Sequence, residues 1–357
     1  MSSSPRSADS LSPKPLSSFL LGAALAVSLS HAHHESARNG LTAFGWATVA
    51  ALGGTLVYTL SHWNILVNAR LPDRKVWQKA IISGALIAFG LWLIGLSIHS
   101  HNWTPAAILP LTLIPWAVKL WRVILHKDVF DNSRERMTSL FLLLTCVLLV
   151  LPDLSWNTLN SSLNLHLSPL SSSSLIAQVG HPRLLSLLGA LNIAAASSLM
   201  TAQQRKISGF VYWSIPCAVA AVVLSLLGWV VIQIFDSKLI VNALVDTALP
   251  ARVSHAAPAV IFGIAFLTLR PKIQIRSTLN IGKGKGQWWQ QLGLLSGLAV
   301  CLLPSSSIQV SWYDFLTTLL LIAGLSFGSK TLPTHGATYS ALSVVEQKEA
   351  PHAASGA

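Results

Sequence analysis

Ten stretches of apolar residues follow one another along the chain, with short polar segments between them. Such stretches predict helices that cross a lipid bilayer, because a spanning helix satisfies its own backbone hydrogen bonds. In the first half they cover 16–30, 42–61, 80–98, 105–119 and 138–154; in the second half they cover 184–202, 210–235, 256–269, 292–303 and 315–327. We therefore predict an all-α polytopic membrane protein of about ten transmembrane helices.

The basic residues indicate an orientation for these helices. When the connections are assigned alternately to the two sides of the membrane, twenty of the twenty-four Lys and Arg residues fall on one side. Cytosolic loops carry this excess in membrane proteins, and a wrong helix count would scramble it. The pattern predicts an integral membrane protein with both termini in the cytosol.

The composition agrees with a membrane location. Hydrophobic residues make up 52% of the chain and charged residues 10%, against about 25% charged in soluble domains. The net charge of +12 suits anionic lipid headgroups, so the sequence does not require nucleic acid as a partner. All three cysteines lie inside apolar stretches, which favours small buried side chains over a metal site or disulfides.

The gaps between the stretches define the organisation. We expect a disordered cytosolic N-terminus, two five-helix halves joined by a non-cytosolic loop, and a disordered cytosolic tail; the segments are 1–15, 16–155, 156–182, 183–329 and 330–357. Five helices per half would insert the second half in the opposite sense, as in inverted-repeat transporters whose substrate site lies near the midplane. The first stretch is short, and cleavage of a signal peptide after Ala32 is the alternative to a first span.

Small residues and prolines predict where these helices approach closely or bend. Small side chains let membrane helices touch, at Gly53-Gly54, Ser83-Gly84 and Ala194–Ser198. Pro110 and Pro115 both fall in the fourth stretch, where proline removes backbone hydrogen bonds and commonly kinks a helix.

Five residues are candidates for binding a substrate. Lys119 is the deepest cation of the apolar stretches, and with Trp116 it suits an anionic group. The alternative for Lys119 is an ordinary cytosolic residue that fixes helix orientation. Tyr58 and Tyr212 are candidate polar-tipped aromatic walls, and His255 is a candidate titrating group.

Histidines near the ends of the stretches suggest a second class of function. On the non-cytosolic side they include His31, His33, His34, His181 and His255, which would suit haem or a metal ion. The alternative is that these histidines, like many of the tryptophans, simply mark the polar boundary of the membrane. The transporter interpretation needs no cofactor.

Two short segments resemble the drug/metabolite transporter superfamily, which includes nucleotide-sugar and triose-phosphate translocators. Val310–Lys330, with Ile322-Ala323-Gly324-Leu325 inside it, is similar to that superfamily's last helix. Trp63-Asn64-Ile65-Leu66 resembles the Asn-Lys-x-x-Leu segment of the triose-phosphate branch, although Ile65 replaces its lysine and Asn68 its leucine. The resemblance extends to ten spans with cytosolic termini, and it implies transport of a small anionic metabolite.

No HExxH or Walker motif occurs in the sequence, so a transporter is favoured over an enzyme. We predict alternating access, with the two halves moving around a midplane site for a small polar or anionic metabolite. A membrane haem or metal protein and a non-catalytic membrane scaffold are the alternatives. The substrate, coupling ion, organelle and oligomeric state are left open by the sequence.

Overall fold

The structure, a computed structural model, describes residues 15–36, 43–61, 63, 74–100, 103–126, 133–153, 181–201, 215–227, 256–263, 292–297, 299 and 316–323. Within these residues the protein is all-helical and has no strand, as the sequence predicted. Each of the ten apolar stretches contains helical residues among those described.

The helices are numbered here in chain order. The first six α-helices are α1 (Pro15–Ser36), α2 (Ala43–Ser61), α3 (Arg74–Ile98), α4 (Ile114–His126), α5 (Ser133–Val150) and α6 (Pro182–Thr201). A 3-10 segment (Pro105–Leu113) leads directly into α4. The second half continues with α7 (Ile215–Leu227) and with helical residues in α8 (256–263), α9 (292–297) and α10 (316–323).

Several helix boundaries differ from the sequence prediction, and α1, for example, continues to Ser36 instead of residue 30. α3 begins at Arg74 instead of residue 80, so its first two turns carry the basic residues Arg74, Lys75 and Lys79. α4 continues to His126, so Lys119 lies inside the helix and not at its end. α5 ends at Val150, and the residues up to Asp153 form a turn.

Two of the described helices are long and apolar enough to cross a membrane, namely Arg74–Ile98 and Pro182–Met200. Pro105–Leu113 and Trp116–Leu125 together also meet that test, but they are bent by 46° at the break between them. The bend confirms the kink predicted from Pro110 and Pro115. Shorter apolar helices lie at Phe19–His33, Ala43–Leu56, Arg136–Val150 and Ile215–Leu227.

α3 and α6 pack against each other in opposite directions along most of their lengths. Ser83 Oγ donates to the Ala196 carbonyl oxygen at 2.8 Å. Fourteen residues further along α3, Ser97 Oγ donates to the Pro182 carbonyl oxygen at 2.7 Å. Because the residue number increases along α3 as the number of its hydrogen-bond partner on α6 decreases, the two helices are antiparallel. This pair joins the first half of the chain to the second.

The predicted close approaches at small residues are confirmed in the described helices. A Cβ atom added to Gly54 would lie 2.6 Å from the Gly263 carbonyl carbon, and one added to Gly84 would lie 2.5 Å from Val219 Cγ1. Ala194 is buried against Ala117 and Val118 of α4. Small residues therefore bring α2 to α8, α3 to α7 and α4 to α6.

Candidate functional site

A small apolar pocket lies where two helices of the first half meet two of the second. α2 and α3 form one side of it, and α7 and α8 form the other. Its described lining residues are Ala50, Ala51, Thr55, Ile87, Leu91, Cys217, Ala220 and Gly263. Four of these are Ala or Gly, so the pocket exists because small side chains leave space where four helices converge.

Thr55 is the residue with a hydroxyl group among these lining residues. Its Oγ1 atom is buried and makes no hydrogen bond among the residues that the structure describes. Other buried or half-buried hydroxyls donate to a carbonyl oxygen three or four residues earlier in their own helices, namely Ser28, Thr48, Thr112, Thr145, Ser197 and Ser225. Thr55 departs from this usual arrangement for hydroxyl groups in helices.

An aromatic pair lies beside the pocket. Trp46 precedes Ala50 by four residues on α2 and is only 2% exposed. Its ring packs on that of Phe262, with centroids 5.0 Å apart and planes tilted by 51°. Because Phe262 adjoins the lining residue Gly263, this contact fixes α2 against α8 next to the pocket.

Lys119 and Trp116 lie on α4, which packs against α6. Neither belongs to the described lining of the pocket. Trp116 is half-buried against Ala117, Val118 and Ala194, and its Nε1 atom has no hydrogen-bond partner among the described residues. Lys119 is half-buried and precedes the end of α4 by seven residues, or roughly 10 Å at 1.5 Å per residue. Trp121 anchors this part of α4 by donating from Nε1 to the Leu191 carbonyl oxygen at 3.1 Å.

The remaining candidate substrate residues are placed only in part. Tyr58 belongs to α2, three residues after Thr55, and the structure does not describe its side chain. Tyr212 and His255 lie outside the described residues. The proposed grouping of all five candidates around one substrate therefore stays a prediction.

The histidines at the ends of α1 and α3 make contacts with their neighbours. His33 Nδ1 donates to the Ile98 carbonyl oxygen at 2.6 Å, and its ring stacks on Trp103 with centroids 4.4 Å apart. His99 Nδ1 donates to the Gly95 carbonyl oxygen at 2.7 Å. These contacts bring the end of α1 to the end of α3, which the sequence assigns to the same side of the membrane.

The structure describes only some of the histidines that were proposed to bind haem or a metal ion. His31 is exposed, the side chain of His34 is not described, and His181 immediately precedes α6. Among the described residues there is no group of three or more His, Cys, Asp and Glu side chains that suits a metal ion. The haem or metal alternative stays a hypothesis.

Asp153 is a polar contact that the sequence analysis did not single out. Its Oδ2 atom accepts hydrogen bonds from the backbone N–H groups of Arg183 at 2.8 Å and Leu184 at 3.0 Å. The carboxylate thus binds the first turn of α6, where unpaired N–H groups and the helix dipole favour a negative charge. Burial raises the pKa of the Asp153 carboxyl in the turn after α5, while the two amides and the Arg183 charge lower it.

The sequence carried a signal for this contact. Asp153 is an acidic residue at the end of the fifth apolar stretch, 138–154, and Pro182 lies two residues before the sixth, a position that proline favours at the start of a helix. For Thr55 the sequence carried no signal, because hydroxyl residues are common in apolar stretches and most bond to their own helix.

No known protein family matches the sequence, and no curated protein matches it either. A solved crystal structure of a protein is similar in fold, with a TM-score of 0.52 and 16% sequence identity. The likeness covers 90% of this chain and 99% of the other. At this identity it shows a shared fold alone.

Proposed function

We propose that the protein is a multi-pass membrane transporter of a small polar or anionic metabolite, working by alternating access. In this proposal ten helices form two five-helix halves of opposite orientation, with both termini in the cytosol. Helices α1 to α5, with the 3-10 segment before α4, form one half, and α6 to α10 form the other. The solute binds where the halves meet.

The observation that carries this proposal is a pairing of helix contacts across the halves. An inverted repeat exchanges each helix with the one five positions away, so α2 corresponds to α7 and α3 to α8. The contact of α2 with α8 at Gly54 and Gly263 then has its counterpart in the contact of α3 with α7 at Gly84 and Val219. Both contacts are made through glycine, which lets the helix backbones come close.

A second pair of contacts follows the same exchange. A Cβ atom added to Gly297 of α9 would lie 2.7 Å from the Ala23 carbonyl oxygen of α1. Exchanging α1 for α6 and α9 for α4 gives the contact of α6 with α4, which Trp121 makes to Leu191. Two independent contacts thus recur at the positions that a repeat of five helices requires.

The helix directions support alternating insertion. Gly293 lies against Phe19 and Gly297 against Ala23, so α1 and α9 advance together and are parallel. α3 and α6 are antiparallel, as the serine hydrogen bonds between them require. When consecutive spans cross a membrane in alternating directions, α1 and α9 cross in the same direction. α3 and α6 then cross in opposite directions, as observed for this antiparallel pair.

The position of the pocket supports a binding role. Its lining comes from α2 and α7 and from α3 and α8, which are the two pairs that the repeat relates. Transporters built from inverted repeats bind their substrates at such an interface. Lys119 with Trp116 is the place where an anionic group would be held.

Reconstituted uptake tests this function. We expect saturable uptake of at least one solute from a panel of uncharged polar metabolites, phosphorylated metabolites and nucleotide sugars into proteoliposomes. Vesicles without protein and vesicles with the heat-denatured protein serve as controls. Absence of uptake across the panel would contradict transport, and a Soret absorption band of the purified protein would favour the haem alternative.

A further inference from the structure

One face of α3 is exposed along the first part of the helix, from Arg74 to Phe89. Residues four apart lie on the same side of a helix, so they form stripes along it. Two neighbouring stripes are exposed: Trp77, Ile81, Ala85 and Phe89, and beside them Arg74, Gln78 and Ile82. The surface is therefore apolar along most of its length and basic at the end where the helix begins.

We propose that this face binds one anionic phospholipid, with the lipid phosphate at Arg74 and Lys75 and an acyl chain along Ile81 to Phe89. The lipid is a second ligand, separate from the transported solute. It belongs to the leaflet that the proposed topology places at the cytosol.

The length of the exposed face fits one leaflet of a bilayer. Trp77 and Phe89 are twelve residues apart, or roughly 18 Å at 1.5 Å per residue. One leaflet contributes half of a hydrocarbon core that is roughly 30 Å thick. Residues 90–98 continue α3 beyond this depth and are buried, except for the half-buried Trp92. A partner helix that spans the membrane would pack along both leaflets, whereas a lipid occupies one.

The charge at the start of α3 favours an anionic headgroup. Arg74 and Lys75 are exposed, and α3 contains no acidic residue. The segment 70–79 has four basic residues and one acidic residue, Asp73, which gives it a net charge of +3. Basic residues at this boundary attract anionic lipids, and tryptophan is enriched at the same level of the membrane. Trp77 lies one turn after Arg74, between the cations and the apolar stripe.

α5 provides a comparison within the same protein. It begins on the side that the proposed topology assigns to the cytosol, and it also has exposed apolar residues, including Leu140, Leu143 and Val147. Its first turn has Glu135 between two arginines, and the helix contains no tryptophan. The apolar surface is thus common to both helices, and the larger positive charge distinguishes α3. We therefore expect α3 to select an anionic lipid over a zwitterionic one.

Native mass spectrometry of the full-length protein in detergent counts bound lipids and measures this selection. The probes are dioleoyl phosphatidylserine, dioleoyl phosphatidylcholine and glycerophosphoserine. The first two share their acyl chains and differ in charge, and the third is the anionic headgroup without the chains. We expect saturable binding of one phosphatidylserine, about tenfold weaker binding of phosphatidylcholine, and no binding of glycerophosphoserine at the same concentration.

Substitutions in α3 assign this binding to its residues. Arg74→Gln with Lys75→Gln should weaken phosphatidylserine binding about tenfold and leave phosphatidylcholine binding unchanged. Arg74→Lys with Lys75→Arg keeps both charges and should bind phosphatidylserine as the unmodified protein does. Ile81→Ser leaves the charges in place and puts a hydroxyl group against the acyl chain, so it should weaken phosphatidylserine binding a few-fold.

Arg134→Gln with Arg136→Gln is the matched control, because it removes two cations from the first turn of α5 and should leave phosphatidylserine binding unchanged. An equal loss in this variant and in the α3 variant would overturn the site. Equal binding of the two phospholipids, or binding of glycerophosphoserine as tight as that of phosphatidylserine, would also overturn it. A dimer that excludes phosphatidylserine would assign the face to a second copy of the chain. Because binding is measured without uptake, failure of the transport proposal would leave these results unchanged.

Discussion

Gly90 of α3 and Gly189 of α6 lie against each other, and each occupies the space that a side chain on the other would need. A Cβ atom added to Gly90 would lie 2.9 Å from the Gly189 carbonyl oxygen, and one added to Gly189 would lie 2.8 Å from the Gly90 carbonyl oxygen. Ser83 and Ser97 form their hydrogen bonds to α6 seven residues on either side of Gly90. The two halves of the chain are therefore joined at backbone distance along this pair of helices.

A large side chain at Gly90 should push the two helices apart. We expect Gly90→Leu to lower the free energy of unfolding by about 1–3 kcal/mol, because overpacking displaces neighbouring backbone. Ala85→Leu on the exposed side of α3 is the control and should change stability little. Thermal unfolding of the purified variants in detergent measures both, and equal midpoints for the two would contradict the close approach.

The hydrogen bonds of Ser83 and Ser97 should each contribute to the free energy of unfolding. Ser83→Ala and Ser97→Ala should each cost about 0.5–1.5 kcal/mol, since each removes a bond between buried helices. Ser225→Ala is the matched control, because its hydroxyl donates to the Ala221 carbonyl oxygen within its own helix. A loss at Ser225 as large as the losses at Ser83 and Ser97 would show that contacts between helices are not the cause.

Asp153 should stabilise the start of α6. Asp153→Ala removes the acceptor for two backbone N–H groups and should cost about 1–2 kcal/mol, as loss of a helix cap does. Asp153→Asn keeps one acceptor oxygen without the charge, so its loss should be smaller. Chemical or thermal unfolding distinguishes the two variants. Identical stability of Asp153→Ala and the unmodified protein would contradict the capping role.

Hydropathy located the helices because an apolar stretch long enough to span a membrane has few alternatives to a helix. It also indicated Gly54 and Gly84, since adjacent small residues stand out among larger apolar ones. The partner of each helix was not predictable, because apolar faces are chemically alike and only the folded structure selects Gly189 for Gly90. The same limit applied to Thr55, whose missing hydrogen bond appears only when its surroundings are known, and to the bend before α4, whose angle depends on packing.

Substitutions at Lys119 test whether the solute is the anionic one that the sequence indicated. If Lys119 only fixes the orientation of its helix, Lys119→Gln should retain uptake close to that of the unmodified protein. Lys119→Arg tests donor geometry, and Lys127→Gln removes the same charge after the end of α4. Loss of uptake in both Lys119 variants, with Lys127→Gln active and all three correctly inserted, would favour an anionic metabolite held by Lys119 and Trp116.

The central claim is that ten helices form two oppositely inserted halves, which labelling from the two sides of the membrane tests most directly. After replacement of the three native cysteines by serine, single cysteines are placed at Ser4, Ser172, Ser277 and Ser343 and exposed to a membrane-impermeant maleimide in sealed right-side-out vesicles. The account predicts that the cysteine at 172 is labelled from outside and that the other three react only after the vesicles are opened. Labelling of residues 172 and 277 from the same side would contradict the ten-helix arrangement and the inverted repeat with it.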